Sequence, residues 1–399
     1  MTSLVKGIFI VGAKRTPFGT FGGKLARTHI TELQTIVSKA ALAAANVKPE
    51  FVDTVVIGNV LPSVAPDGIL LPRHVLLHCG IPIEKPAFAV NRLCGSGFQA
   101  IVNGVQDIST GVADIALTGG VENMSAAPYM IRDIRFGGIP LGKSPVLEDA
   151  FWESSLDTFC GLRMPLTAEK LGGQYNLTKE EVDQFAFNSQ QRWKKAQEEG
   201  KFKDEIEPVP VKEKKETMNF EIDEHPRPWT TMEGLGKLPT IFKENGLVTA
   251  GSASGISDGA AAVVLASEAS ISKHNLKPLA RIVAHSTVGV DPSIMGIGPA
   301  PAIQNILNAT GKTLDDIDLI EINEAFGAQT VSCAKELNLD MSKLNVNGGA
   351  IALGHPLAAS GARITAHLVY ELRRRKAKLG IGSACIGGGQ GIAVMVEVI

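Results

Sequence analysis

The sequence predicts an α/β protein built from one unit used twice, and three observations carry that expectation. Apolar runs of strand length alternate with segments of helical spacing, several stretches of the first part recur in order in the second, and a Pro-, Gly- and charge-rich segment interrupts the first part. The 399 residues leave room for two or three domains, and a formal charge of -2 gives no overall basic field to hold nucleic acid. Any anionic ligand must then be bound locally. The five cysteines, Cys79, Cys94, Cys160, Cys333 and Cys385, are odd in number, far apart and free of a Cys-x-x-Cys pair, which argues against disulfide and zinc frameworks. No apolar run approaches the ~20 residues of a membrane span, and the N-terminus shows no secretory signal. The expectation is an intracellular protein.

Taken in order, Gly7-Ile8-Phe9-Ile10-Val11-Gly12 reads as the first strand. A helix over Glu32 to Ala45 would put Leu33, Ile36, Val37 and Ala40 on one face, and Val52 to Asn59 reads as a strand. Arg73 to Leu77 reads as a helix, Ala87 to Val90 as a strand, and Asp114 to Gly120 as a strand ending in a glycine turn. From about Glu122 to Gly246 the alternation breaks down, with one clear helix introduced by a capping box at Thr178 and Glu181. This segment reads as an inserted lid, and its mixed-charge run Lys212 to Glu216 as a solvated face. Regular structure returns at Asp258 to Leu265. Val52 to Asn59 then recurs as Ile317 to Glu324, Val90-Asn91 as Val346-Asn347, Ala116 to Gly120 as Ser383 to Gly388, and Asp258 to Leu265 as Gln390 to Val396. A site between two such halves would sit at equivalent strand ends.

Cys94, in Asn91-Arg92-Leu93-Cys94-Gly95-Ser96-Gly97-Phe98, lies where a strand gives way to a helix, and it reads as a nucleophile. Gly95 and Gly97 let the backbone bend, and the helix N-terminus is expected to favour thiolate over thiol. Three stretches of the second half add polar groups on glycine-rich turns: Asn323-Glu324-Ala325-Phe326, Gly354-His355-Pro356 and Cys385-Ile386-Gly387-Gly388-Gly389. With Cys94 they supply a nucleophile, an imidazole, a second thiol and N–H donors, the set that thioester chemistry requires.

These motifs, with Lys14-Arg15-Thr16-Pro17-Phe18-Gly19 and Gly119-Gly120-Val121-Glu122-Asn123-Met124-Ser125, resemble the thiolase family from end to end, its mitochondrial 3-ketoacyl-CoA type most. The resemblance implies a thiolase fold: two αβα halves forming a five-layered αβαβα core with an inserted loop domain. The halves would take residues 1–122 with 247–273, and 274–399, and the loop domain 123–246. It implies that Cys94 is acylated, that His355 activates it and helps bind the thioester oxygen, and that Cys385 is the acid/base. Asn323 would hold a water in one oxyanion hole, and the N–H groups of Cys94 and Gly387 would form the other. Coenzyme A would be a co-substrate, contacted by Arg227, Thr230 and Ser254, with no prosthetic group and no metal. Met164 is expected either beside the acyl pocket or in the core. The family's Gly-His-Pro-x-Gly segment here reads Gly354-His355-Pro356-Leu357-Ala358, a departure expected to alter pocket shape or chain-length preference.

The resemblance implies an acetyl-CoA C-acyltransferase of fatty-acid β-oxidation that cleaves 3-ketoacyl-CoA with CoA and works as a homotetramer or dimer. The rival readings are a biosynthetic acetoacetyl-CoA thiolase, a side activity as an acyl-CoA hydrolase, a non-catalytic scaffold and a cysteine-based redox protein. The first 31 residues hold Lys6, Lys14, Arg15, Lys24 and Arg27 and no acid, the bias of a mitochondrial targeting segment. Because the first strand begins so early, the expectation is a matrix protein with an uncleaved signal, the alternative being cytoplasmic.

Overall fold

The structure is a computed structural model that describes residues 2–213 and 216–399. Its first half runs β1 (Ile8–Arg15), α1 (Ile30–Ala45), β2 (Thr54–Gly58), β3 (Ala87–Val90), α2 (Ser96–Ser109) and β4 (Ile115–Asn123), then, after an intervening segment containing α3 (Lys179–Glu198), β5 (Ser257–Ser267). The second half runs β6 (Ala280–Gly289), α4 (Pro299–Thr310), β7 (Leu319–Ile322), α5 (Ser360–Arg375), β8 (Leu379–Ile386) and β9 (Gln390–Val398). The strands lie in the order β7-β8-β9-β6-β1-β5-β4-β2-β3. The sheet continues from one wing to the other where β6 joins β1, with Ala280 opposite Ile10 and Arg281 opposite Phe9. Within the wings β2 is parallel to β3 and β4, and β7 is parallel to β8.

Successive residues of a strand point to opposite faces, and the core residues follow that rule. Ala260, Ala262, Val264 and Ala266 of β5 pack with Leu33, Val37 and Ala41 of α1, whereas Ala261, Val263 and Leu265 join Phe98 and Ile101 of α2 and Ile364 and Leu368 of α5. On β9, Ile392, Val394 and Val396 face that same middle core, and Ala393 and Met395 face Ile303 and Ile306 of α4. The result is five layers, α/β/α/β/α, with α2 and α5 between the wings. Close approach of those two helices depends on glycine: a Cβ on Gly97 would lie 2.5 Å from the Ala358 carbonyl oxygen, and one on Gly361 would run into the Phe98 amide.

Several local expectations are corrected. The buried stripe of α1 contains Leu33, Gln34, Val37, Ser38, Ala41 and Leu42, while Ile36 and Ala40 are half-buried. Two polar residues fit that stripe because Gln34 Nε2 donates to Ser38 Oγ and to the Ala261 carbonyl. β4 does not turn at Gly119-Gly120 but continues to Asn123. Glycine is needed there for close packing: a Cβ on Gly119 would run into the Ala261 carbonyl, and one on Gly120 into that of Ala358. Ahead of β1, Thr2–Leu4 forms a short strand antiparallel to β6.

The capping box at Thr178 and Glu181 starts α3. A second helix, Met164–Gln174, was hidden in the sequence by Pro165 at its start and Gly172-Gly173 near its end. Lys212 and Glu216 are exposed, and Lys214 and Lys215 of the mixed-charge run lie outside the described residues. The segment is tied to β1 by buried charges: Arg15 Nε donates to Glu205 Oε1 at 2.7 Å, and Arg15 Nη1 and Nη2 grip both oxygens of Asp223. The other oxygen of Glu205 meets His367 Nδ1 of α5 at 2.7 Å.

Candidate active site

The turn between β3 and α2 presents Cys94. Leu93 adopts a left-handed φ of 45°, a costly conformation for a branched side chain, and the local hydrogen bonds hold it there. Asn91 Oδ1 accepts the Leu93 N–H, while Ser96 Oγ accepts the Arg92 N–H and donates to the Leu93 carbonyl. Across the wings, Arg92 Nη1 donates to Gln390 Oε1, which joins this turn to the start of β9. Cys94 is half-buried, and its sulfur accepts N–H from its own backbone and from Gly387.

Gly387 reaches that position because β8 ends at Ile386 and the chain reverses over Gly387-Gly388-Gly389, the last two with positive φ. A Cβ on Gly387 would lie 2.8 Å from Met164 Cε and 2.9 Å from Leu93 Cδ1, so Met164 and Leu93 flank the same point. One strand residue earlier, fully buried Cys385 packs with Met295, Ala325, Met164 and Phe326. Burial and the neighbouring Cys94 raise the Cys385 pKa well above the ordinary thiol range.

His355 is buried and follows Gly354, whose φ of 94° turns the chain; a side chain at Gly354 would lie 2.6 Å from Ser257 Oγ. His355 Nδ1 lies 2.6 Å from Ser360 Oγ, and Nε2 lies 3.3 Å from Asn323 Nδ2. With the amide of Asn323 as donor, Nε2 is the acceptor and Nδ1 carries the proton, donating a hydrogen bond to Ser360 Oγ; that hydroxyl donates on to the Pro356 carbonyl. Burial and the charge of Arg363 push the imidazole down to about 3, so it is neutral across the physiological range. Asn323 Oδ1 is buried without a partner among the described residues, which leaves a polar atom of this side chain for a bound molecule. Ser360 had no assigned role in the sequence reading; its signal is its place five residues after His355, at the first turn of α5.

The expected thiolate is corrected. Burial pushes the Cys94 thiol up to about 11, outweighing the two N–H donors, and the Glu122 carboxyl adds to the rise. The resting pair is therefore a neutral thiol and a neutral imidazole with Nε2 unprotonated, and ionisation must accompany attack.

The residues expected to touch coenzyme A lie farther out. Arg227 is exposed on a turn held by its N–H to Gln190 Oε1, and the Thr230 N–H and hydroxyl both donate to the Arg227 carbonyl. Ser254 is half-buried, with its N–H on the Ala325 carbonyl. The two stretches meet where the His225 ring covers Gly255, whose carbonyl accepts the His355 N–H. Thus the outer turn connects directly to the imidazole loop. Among the described residues, no cluster of His, Cys, Asp and Glu is arranged to hold a metal ion, and no helix is long and apolar enough to cross a membrane.

Comparison with known proteins agrees with this architecture over its whole length. The chain is 56% identical over 395 residues to the mitochondrial 3-ketoacyl-CoA thiolase of Bos taurus, covering 99% of each chain. It is 45% identical over 399 residues to an acetyl-CoA acetyltransferase of Syntrophomonas wolfei, covering 99% of this chain and 100% of that one. The crystal structure of human mitochondrial 3-ketoacyl-CoA thiolase in complex with CoA superposes with a TM-score of 0.96 at 55% identity, covering 99% of each chain. Residues 8–269 match the thiolase N-terminal domain and residues 276–398 the thiolase C-terminal domain. With both halves accounted for in this way, the chain belongs to the thiolase family of acyltransferases.

Proposed function

We propose that the chain cleaves 3-ketoacyl-CoA with CoA, giving acetyl-CoA and an acyl-CoA shortened by two carbons, as a step of fatty-acid β-oxidation. The observation that carries this reading is the convergence on one sulfur: Cys94 receives the Gly387 N–H and lies close enough to Cys385 for their charges to couple. In the first half-reaction His355 Nε2 takes the Cys94 proton as the sulfur attacks the 3-keto carbon. The bond between C2 and C3 breaks, the acyl group stays on sulfur, and the acetyl-CoA enolate takes a proton from Cys385. In the second half-reaction Cys385 takes back a proton from incoming CoA, whose sulfur attacks the acyl-Cys94 thioester. The bond from the acyl carbon to Cys94 Sγ breaks, acyl-CoA leaves, and the Cys94 sulfur recovers its proton from His355 Nε2.

The charge that develops on oxygen is met by preplaced donors. One set is the backbone N–H groups of Cys94 and Gly387; the other is protonated His355 Nε2 with a water held by Asn323. Arg227, Thr230 and Ser254 bind the CoA moiety, consistent with a turn that connects to the His355 loop through His225 and Gly255. Within the chain, residues 123–246 act as the loop domain between the halves 1–122 with 247–273 and 274–399. Similarity to a mitochondrial enzyme supports a mitochondrial matrix location.

A homo-oligomer is supported by the sheet edge. Among the described residues β3 is the last strand of the sheet, and Phe88 on it is exposed, an apolar edge suited to a second copy. The second reading, an acetoacetyl-CoA thiolase, is favoured by the full-length similarity to an acetyl-CoA acetyltransferase. Thiolysis rates over a ladder of 3-ketoacyl-CoAs from four carbons upward, with Cys94→Ala as control, separate the two. Activity that persists or rises with chain length supports β-oxidation, and activity confined to the four-carbon substrate supports the second reading.

A further inference from the structure

We infer that Glu122 is a positioning residue, a buried carboxylate that clamps the peptide following His355 to the first half and so sets the imidazole against Cys94. Glu122 is fully buried at the end of β4, on the face turned to the middle layer. Its Oε1 accepts from Asn59 Nδ2 at 3.0 Å and from the Leu61 N–H at 2.9 Å; Oε2 accepts from the Val60 N–H and from the Ala358 N–H, both at 3.2 Å. Ala358 is three residues beyond His355 and two before Ser360, the partner of the imidazole. Its carbonyl is wedged against Gly97 of α2 and Gly120 of β4. One residue is thus held at its N–H by Glu122 of β4 and at its carbonyl by β4 and by α2, the helix that follows Cys94. Glu122 is a charged side chain in that arrangement, and it joins residues 61 and 236 positions away.

Every donor aimed at the carboxylate is an N–H, so a proton on either oxygen would face a donor and break the clamp. Burial, opposed by the N–H groups of Leu61, Ala358 and Val60, pushes this carboxyl up to about 7, which brings that event close to neutrality. Its neighbours among the described residues include Asn59 and the 60–61 backbone, Gly120 and Gly259 of the sheet, Ala358 of the imidazole loop, and the Cys94 thiol, a titratable group coupled to it. His355 at about 3 does not titrate in this range. The clamp therefore gives the enzyme an acid limb near neutral pH that belongs to Glu122.

The inference rests on the acyl-transfer reading, and the test keeps the two apart. Wild type, Glu122→Gln and Glu122→Asp are compared by thiolysis of 3-ketodecanoyl-CoA as a function of pH and by the rate of iodoacetamide alkylation at Cys94, located by peptide mass. Alkylation needs no substrate, so it reads the Cys94 and His355 geometry even if the proposed substrate is wrong. The expected result is a fall of roughly tenfold in both kcat and Cys94 alkylation for Glu122→Gln, with KM within about twofold and the acid limb near pH 7 abolished. Glu122→Asp, which keeps the carboxylate, recovers part of both rates. Faster alkylation in Glu122→Gln would make Glu122 a purely electrostatic brake on Cys94 and overturn the inference. So would equal impairment of the Gln and Asp variants with kcat and KM changed together, the pattern of a packing residue.

Discussion

At Cys94 the structure sets burial against hydrogen bonding, and burial wins. A thiol pushed up to about 11 predicts that iodoacetamide alkylation of Cys94 in the free enzyme rises through the alkaline range instead of levelling off near neutrality. A plateau by pH 8 would mean a resting thiolate and contradict the neutral pair. Ser360 is the second residue-scale prediction. Its hydroxyl is the Nδ1 partner of His355, so Ser360→Ala frees the ring to rotate or change tautomer and is expected to lower kcat by up to roughly a hundredfold with little effect on KM. An unchanged kcat in that variant would show that the imidazole is oriented without it. The nucleophile was legible in the sequence because a cysteine between a strand and a glycine-flanked helix has a local signature. Glu122 had none. Its meaning lies in four partners brought together by folding, one of them 236 residues away, and nothing in a buried strand glutamate announces them. Ala358 is intermediate: the sequence marks the departure, and the structure decides its consequence. Ala358 sits buried in a short 3-10 turn, Leu357–Ala359, without a left-handed backbone, so alanine is unstrained there. Ala358→Gly is accordingly expected to lose up to ~1 kcal/mol of stability in urea unfolding.

Between elements, the buried charges at Arg15 fasten β1 to the intervening segment and to α5. Arg15 and both of its acidic partners are almost wholly inaccessible. Removing the guanidinium in Arg15→Ala would leave two carboxylates buried without their cation, an expected loss of about 3 to 5 kcal/mol by denaturant unfolding. A loss below about 1 kcal/mol would show that water enters the site. The same knot gives a pH dependence. Burial opposes ionisation of Glu205, but His367 and Arg15 outweigh it and hold the carboxyl down at about 2, below its ordinary 4.5. A lowered carboxyl binds fewer protons folded than unfolded, so its stabilisation is present above about pH 4.5 and is lost as pH falls through that value toward 2. The alternation of the halves was readable because strand and helix periods are local properties. The charged knot was not, since Arg15, Glu205, Asp223 and His367 come from four separate parts of the chain. Likewise, Gly119 and Gly120 read as a turn in sequence, where glycine more often bends a chain than admits a neighbouring carbonyl.

For the molecule as a whole, the two wings place Cys94 from one half beside Gly387 and Cys385 from the other, a convergence that requires both copies of the duplicated unit. The repeat made that division visible in sequence; how α2 and α5 pack through Gly97 and Gly361 could be seen only in three dimensions. The edge of β3 lies immediately before the Cys94 turn, so the proposed assembly face and the site would share one strand. Phe88, 41% exposed on that edge, is the residue to change: Phe88→Arg is expected to lower the solution mass measured by light scattering, and an unchanged mass would place the interface elsewhere. In the proposed cycle Cys94 carries the acyl group between two half-reactions. The direct measurement is intact and peptide mass analysis after mixing the enzyme with 3-ketodecanoyl-CoA in the absence of free CoA. An octanoyl group on the Cys94 peptide, released as octanoyl-CoA when CoA is added, is the predicted result. Acetyl-CoA formation with Cys94 unmodified, or turnover that survives in Cys94→Ala, would contradict it.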